Sequence, residues 1–444
     1  MASEFLKNAS GRRLRGEFSF EKPAHLANWR GVPVFTPSRA AQPITLDLAP
    51  AEVAARLRHL PGLAFFDTAK PEGDPAALSV VAAAPRELLR GHIAHDWDSL
   101  RAMLAARECP HGSDDGLPHG FAAGHVDYDG RFCFGLYDEA LLFRHADQRW
   151  YSTGDLVLRL AHSAGSPRCE RPDFQPSMPR ETFLAMVRRA QDYIAAGDIY
   201  QVNLSHRMSA EWSGEPWGFY EALRHYSPAP NAAFLDLDGC AILSASPESF
   251  LKMSGRAIRT RPIKGTRPRR ADPLADERSA FDLLTSAKEV SELVMITDLE
   301  RNDLGSVCEF GSVTVPELLK LERHEQVFHL VSTVEGRLRP EVDHAAAFCA
   351  CFPGGSITGA PKKRAREIIA ELEPRPRGLY TGALGWFGFN GESQFSIAIR
   401  TVIIEGGEAH FHVGSGIVAD SSPEAEWQET LDKAAGILLA AERL

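Results

Sequence analysis

Apolar positions recur along this chain with two interleaved periods. In RETFLAMVRRAQDYIAAGD (180–198), Phe183, Val187, Ala190 and Ile194 share one face at helical spacing, and Gly197 supplies a stop. IYQVNLSHRM (199–208) then alternates as a strand does. CAILSASPESFLKM (240–253) and AIRTRPIKGT (257–266) read as strands around short turns, and FSIAIRTVII (395–404) and AHFHVGSGIV (409–418) as a pair separated by the Gly406-Gly407 turn. Helices are predicted over 273–297, 316–321, 341–351, 359–373 and 423–443. Hairpin-like strands mixed with helices predict an α+β protein with extensive antiparallel sheet, not a strict alternation of strand and helix.

The alternating pattern of WYSTGDLVLRL (150–160) gives way at HSAGSPRCERPDFQPSMPR (162–180), where Ser, Pro, Gly and Arg dominate. The predicted organisation is an N-terminal subdomain over 1–165, a linker over 166–180 and a C-terminal catalytic domain over 181–444. The opening MASEFLKNASGRRLRGEF (1–18) reads as a polar tail.

Composition narrows the function. With 444 residues, 44% of them hydrophobic, the chain can bury a substantial core. A net charge of −10 argues against nucleic acid and against an anionic membrane surface, while leaving room for a local basic pocket. Seven cysteines, odd in number and without a CxxC pair, indicate neither a disulfide framework nor a zinc site. No apolar run approaches the ~18 residues of a membrane span, and a cytoplasmic location is expected.

Five features could carry chemistry. Glu289 and Glu292 lie three apart in SAKEVSELVMITDLERNDLG (286–305), and Glu426 and Glu429 repeat that spacing in SSPEAEWQETLDK (421–433). Two facing helices would present four carboxylates, an oxygen-rich site suited to Mg²⁺, although such pairs are also common on solvated helices. Lys433 stands four residues from Glu429, the spacing of a surface ion pair. FPGGSITGAPKKR (352–364) offers Ser356, Thr358 and backbone N–H groups ahead of a helix start, the chemistry of an anion cradle or simply of a capping turn. It lacks the Lys-Ser/Thr of a nucleotide loop. Arg400 in SIAIRT is predicted to project from a strand interior, where it needs a carboxylate of substrate or protein. His329 and Tyr380 are each readable as core or as site residues. Lys264 lies in RPIKGTRPRR (261–270), where Arg261, Arg267, Arg269 and Arg270 would help deprotonate it if they clustered around it. Glu248, in the turn of SASPESF, could face it as a general acid.

Taken together, GDIYQVNLSHR, SASPESF, RPIKGTRPR, KEVSELVMITDLERNDLG, HLVSTVEG, FPGGSITGAPK, RGLYTGALG, FSIAIRT and GSGIVADSSPEAEWQET resemble the chorismate-utilising enzymes over about residues 178–444. That group comprises component I of anthranilate and aminodeoxychorismate synthases and the isochorismate and salicylate synthases. The resemblance implies a large chorismate-binding sandwich of antiparallel sheets surrounded by helices. It implies Glu292 and Glu429 as direct Mg²⁺ ligands with Glu289 and Glu426 behind them. Gln201, Thr266, His329, Ser356, Thr358, Tyr380, Arg400, Gly414 and Lys433 would line the chorismate site.

Gln201 stands where water-adding members have a basic lysine. Lys264 stands where anthranilate synthases have alanine, and lysine there marks the aminodeoxychorismate synthases. The implied activity is conversion of chorismate and ammonia to 4-amino-4-deoxychorismate for 4-aminobenzoate and folate biosynthesis, with Lys264 as nucleophile and Glu248 as acid. No cysteine lies in a Gly-x-Cys-x-Gly elbow, so ammonia is expected from a separate glutamine amidotransferase subunit, component II. Anthranilate synthase component I is the alternative within the group, and a non-catalytic binding subunit the alternative outside it.

Overall fold

A computed structural model describes residues 40–71, 77–109, 116–163, 165, 169–323 and 327–444. The expected tail at 1–18 lies outside these residues. The described strands form two sheets, of 12 and 10 strands, and every pairing between them is antiparallel. Helices cover their outer faces, so the architecture is α+β.

The period-two pattern explains the layering. In the larger sheet Ala64, Val80 and Ala82 point into a core shared with Ala123, Cys133 and Trp386 of the smaller sheet. Their neighbours Phe65 and Val81 point the other way, against helix residues such as Trp217, Leu223 and Ile437. In the smaller sheet Ala122, Phe134 and Phe387 likewise turn outward, onto Trp97 and Phe348. Successive side chains on a strand face opposite sides, so each strand serves two cores.

The stretch 162–180 separates two halves in sequence but not in the sheets. Ala64–Asp67 pairs with Asn231–Leu237 in the larger sheet, and Phe121–Val126 pairs with Ala383–Gly388 in the smaller. Within the stretch, Gln175–Pro176 itself pairs with Gln201–Glu211. Strands from before residue 165 complete both sheets because their apolar faces have no other cover.

Most predicted elements have counterparts. The helix over 180–198 is Arg180–Ala195, with Gly197 at φ 80°. The predicted helix 273–297 is two helices, Pro273–Leu284 and Ala287–Gly305; the Ser286 hydroxyl caps the second by accepting from Glu289 N at 3.4 Å. The predicted helix 316–321 is instead strand Thr314–Arg323, paired with Val327–Arg337. Its half-buried residues alternate with exposed ones, and the neighbouring strand supplies hydrogen bonds that so short an isolated helix could not match. Helices 341–351 and 359–373 begin later, at His344 and Lys362; Gly359–Ala360 pairs with Gln201 and Val202. The last helix is Pro423–Glu442. All seven cysteines are free thiols, and no described helix is long and apolar enough to cross a membrane.

A buried ion pair locks the start of the Gln201 strand to the loop at 352–361. Arg377 Nη2 lies 2.7 Å from Glu373 Oε1 and donates to Asn203 O at 2.6 Å, while its Nη1 donates to Ile357 O at 3.1 Å. Glu373→Ala would strand this guanidinium in the interior and should cost about 3–5 kcal/mol of stability, read by denaturant unfolding.

Candidate active site

Two strands pass from one sheet to the other at the same place. Cys240–Ser246 belongs to the larger sheet and Ser249–Ser254 to the smaller; Glu248 lies in the two-residue link. Glu392–Ile397 belongs to the smaller sheet and Thr401–Glu405 to the larger; Arg400 lies in that link. The crossings are laced together. Ile397 N donates to Glu248 O at 3.1 Å, Ala245 N to Arg400 O at 3.0 Å, and Ser246 Oγ to Ile397 O at 2.6 Å.

Arg400 therefore does not project from a strand interior. It occupies a bend with φ 48°, a region a non-glycine residue enters only at a cost. Among the described residues its guanidinium makes no ion pair. Burial pushes its pKa down, and the nearby Glu248 carboxyl opposes the shift.

Glu248 is 5% exposed, and its Oε1 has no hydrogen-bond partner among the described residues. Burial pushes its pKa up, against the pull of Lys264, Ser356, the Ile263 N–H and Lys433. Lys264 lies on strand Ile263–Pro268 and donates from Nζ to Ser356 O at 3.0 Å. Gly265 interrupts the register beside it with φ 73°; a Cβ there would lie 2.6 Å from Leu283 Cδ1 and 3.1 Å from Glu289 Oε2. Thr266 Oγ1 is 3.0 Å from Nδ1 of the buried His329 on the paired strand.

The arginines of RPIKGTRPRR do not gather around Lys264. Arg261 pairs with Glu322, Arg267 approaches Glu289 at 3.7 Å, and Arg269 makes a bidentate contact with Asp276 at 2.9–3.1 Å. Three of the four guanidiniums thus meet a carboxylate, which reduces the local field.

The four predicted carboxylates divide into two roles. Glu292 and Glu429 are close enough to repel each other. Burial raises Glu292, and its Oε1 has no partner among the described residues. For Glu429 burial acts upward too, but Lys433, Lys288 and Lys264 outweigh it and leave the carboxyl below its ordinary range. Lys433 Nζ bridges Glu429 Oε1 at 2.8 Å and Gly414 O at 2.9 Å, so it is more than a surface ion pair. Glu426 is already engaged: Ser415 and Ser421 donate to it, and Lys288 lies 3.2 Å away.

Among the described residues no three His, Cys, Asp or Glu side chains converge on one metal position. An oxygen-only pair with one orphaned carboxylate oxygen fits a hard divalent cation such as Mg²⁺, which commonly takes one or two carboxylates and fills its other positions with water and substrate.

Gln201 and Tyr380 close the site over two glycines. A Cβ at Gly416 would lie 2.5 Å from Gln201 Nε2 and 3.8 Å from Glu292 Oε2; one at Gly414 would lie 2.6 Å from Tyr380 Oη and 2.7 Å from Leu204 O. Burial pushes the Tyr380 hydroxyl up to about 12. Ser356 is buried with an unpartnered Oγ, whereas the Thr358 hydroxyl donates to Gly354 O at 2.6 Å and holds the loop itself. Gln201 Oε1, Glu248 Oε1, Glu292 Oε1 and Ser356 Oγ are thus buried without a partner among the described residues. Buried polar atoms are normally satisfied, so each is open to a polar group of a ligand.

The sequence profile described as chorismate binding enzyme matches residues 87–439. The chain belongs to the chorismate binding enzyme family. Aminodeoxychorismate synthase component 1 of Escherichia coli is 45% identical over 318 residues, 70% of either chain. Anthranilate synthase component 1 of Thermus thermophilus is 47% identical over 272 residues, 61% of this chain and 59% of that one. The chain thus spans less than two thirds of the length of several such relatives. Anthranilate synthase component I from Streptococcus pneumoniae superposes with a TM-score of 0.74 at 28% identity, covering 97% of this chain and 100% of that one.

Sequence reasoning passed over Glu300, a buried carboxyl on the same helix as Glu292. The signal was present: the buried stripe Glu292, Leu293, Ile296, Thr297, Glu300, Leu304 puts a carboxyl on the core-facing side. Gly414 and Gly416 make one packing prediction. Gly414→Ala meets backbone at Leu204 and should lose about 1–3 kcal/mol, while Gly416→Ala meets only the movable end of Gln201 and should lose less, both read by denaturant unfolding.

Proposed function

We propose that this chain aminates chorismate at C4 to give 4-amino-4-deoxychorismate, with ammonia from a separate glutamine amidotransferase subunit. The observation that carries the reading is Lys264 beside the buried carboxyl of Glu248, whose Oε1 has no partner among the described residues, with neutral Gln201 where a water-activating base would be needed. The product is a precursor of 4-aminobenzoate and hence of folate.

The neutral amine of Lys264 forms a bond to C2, the ring double bonds shift, and the C4–O bond breaks. Glu248 gives its proton to the departing oxygen, which leaves as water. Ammonia then bonds to C4, the C2–N bond to Lys264 breaks, and the surplus proton on the new amine returns to Glu248. Arg400, unpaired among the described residues, and the Tyr380 hydroxyl would hold the enolpyruvyl carboxylate. Glu292 and Glu429 would hold Mg²⁺, with Glu289 and Glu426 behind them; when bound, the ion neutralises and orients the ring carboxylate. Lys433 and the Ser356 loop would complete the enclosure, and His329 would fix Thr266 against the substrate.

Relatives named anthranilate synthase component 1, at 47% identity, support a second reading in which ammonia adds at C2 and pyruvate leaves. A product assay separates the two. With chorismate, Mg²⁺ and high ammonium, the chain should yield 4-aminobenzoate only when an aminodeoxychorismate lyase is added; anthranilate without the lyase would overturn the first reading. Lys264→Ala should abolish aminodeoxychorismate formation, and Glu248→Gln should slow it about 10²–10⁴-fold.

A further inference from the structure

Glu300 is a buried carboxyl for which the proposed chemistry has no role so far. It is 6% exposed, and Thr260 Oγ1 donates to its Oε2 at 2.9 Å. Register places it on the face from which Glu248 emerges. Ser249 and Arg261 are paired residues that both border a cavity of about 510 Å³ on one face of the smaller sheet. Their neighbours Glu248 and Thr260 therefore turn to the opposite face, where helix Ala287–Gly305 packs and Glu300 meets Thr260.

The surroundings of the two carboxyls differ in charge. Around Glu300 stand Thr260, the Asp303 carboxyl, Lys362 and Cys351; Lys362 Nζ is committed to Asp303 at 2.6 Å and to Cys351 O at 3.1 Å. Around Glu248 stand Lys264, Lys433, Arg400 and Ser356. Cations thus face Glu248 directly, while the cation near Glu300 is already spent on Asp303.

We propose that Glu300 and Glu248 form a carboxyl pair holding one shared proton, in which Glu300 is a positioning residue that keeps Glu248 supplied as the general acid. Burial first, and the Glu248 charge second, push Glu300 up to about 8. Two such groups cannot both ionise cheaply, so the pair loses its second proton only near that pH. Between the two ionisations the fraction of Glu248 that is protonated stays nearly constant; a lone Glu248 would lose protonation tenfold per pH unit. In the reaction the proton of the pair leaves through Glu248 to the departing oxygen. The proton released by the new amine refills the pair, and no other reactant is consumed.

The inference rests on the reading of Glu248 as general acid, and its test separates the two. Rates of chorismate consumption would be measured for the full chain and Glu300→Gln at fixed free ammonia between about pH 6 and about pH 9. The variant should keep its rate at the acid end within about threefold, and its alkaline limb should move down by about one pH unit or more, with Glu300→Asp restoring part of the range. Superimposable profiles would overturn the pair.

A second readout needs no activity. A carboxyl raised in the folded state withdraws stability as pH rises from its ordinary value toward about 8, so the stability advantage of Glu300→Gln should grow across that window and then level off. A pH-independent difference would overturn the proposal even if the chain made no aminodeoxychorismate. Infrared spectra of the unaltered chain should show a buried protonated carboxyl at neutral pH that disappears through about pH 8; its absence at neutral pH would count equally against the pair.

Discussion

The site depends on one constraint of the backbone: two strands change sheets at the same point. Where Cys240–Ser246 hands over to Ser249–Ser254, and Ile397 hands over to Thr401, the ladders on either side continue, but the links cannot. Their backbone groups are satisfied by each other, through Glu248 O, Arg400 O and the Ser246 hydroxyl. Satisfying the backbone this way leaves the Glu248 and Arg400 side chains buried and without an ion pair among the described residues. The positive φ of Arg400 is part of the same solution.

Around this point the fold assembles opposing charges and neutralises only some of them. Lys264 reaches the Ser356 carbonyl from one edge of the smaller sheet, and the Ala287–Gly305 and Pro423–Glu442 helices bring Glu292 and Glu429 from outside. Elsewhere the chain pairs its charges: Arg261 with Glu322, Arg269 with Asp276, Arg377 with Glu373. Glu429 is tied to Lys433, but Glu248, Glu292 and Arg400 make no ion pair among the described residues, and in a low-dielectric setting they act on whatever enters more strongly than they would in water. An acidic chain of net charge −10 can thus offer a cationic interior to an anion.

Asp67, in the FFDT stretch of the larger sheet, illustrates the contrast. It is almost completely buried, but Arg224 Nε at 2.8 Å and the Tyr220 hydroxyl at 3.1 Å occupy it. A buried carboxylate of this kind serves architecture, and only the identity of its partners separates it from Glu248.

The residue types and their order were legible in the chain itself: the spacing of Glu289 with Glu292 and of Glu426 with Glu429, the lysine between Ile263 and Gly265, and the period-two strands around Glu248 and Gln201. Local periodicity and short-range spacing determine these, because they depend on neighbours a few residues away. Contacts across the fold decided the rest. Pairing with Val327–Arg337 made a strand of 316–321, and the sheet crossing put Arg400 in a bend. Remote carboxylates drew the arginines away from Lys264, and seryl hydroxyls claimed Glu426. The electrostatics of Glu300 likewise belong to the folded chain, since Glu248 and Thr260 reach it only once the helix lies against the sheet. Burial and partner choice are properties of surfaces that meet, and a linear pattern does not specify which surfaces those are.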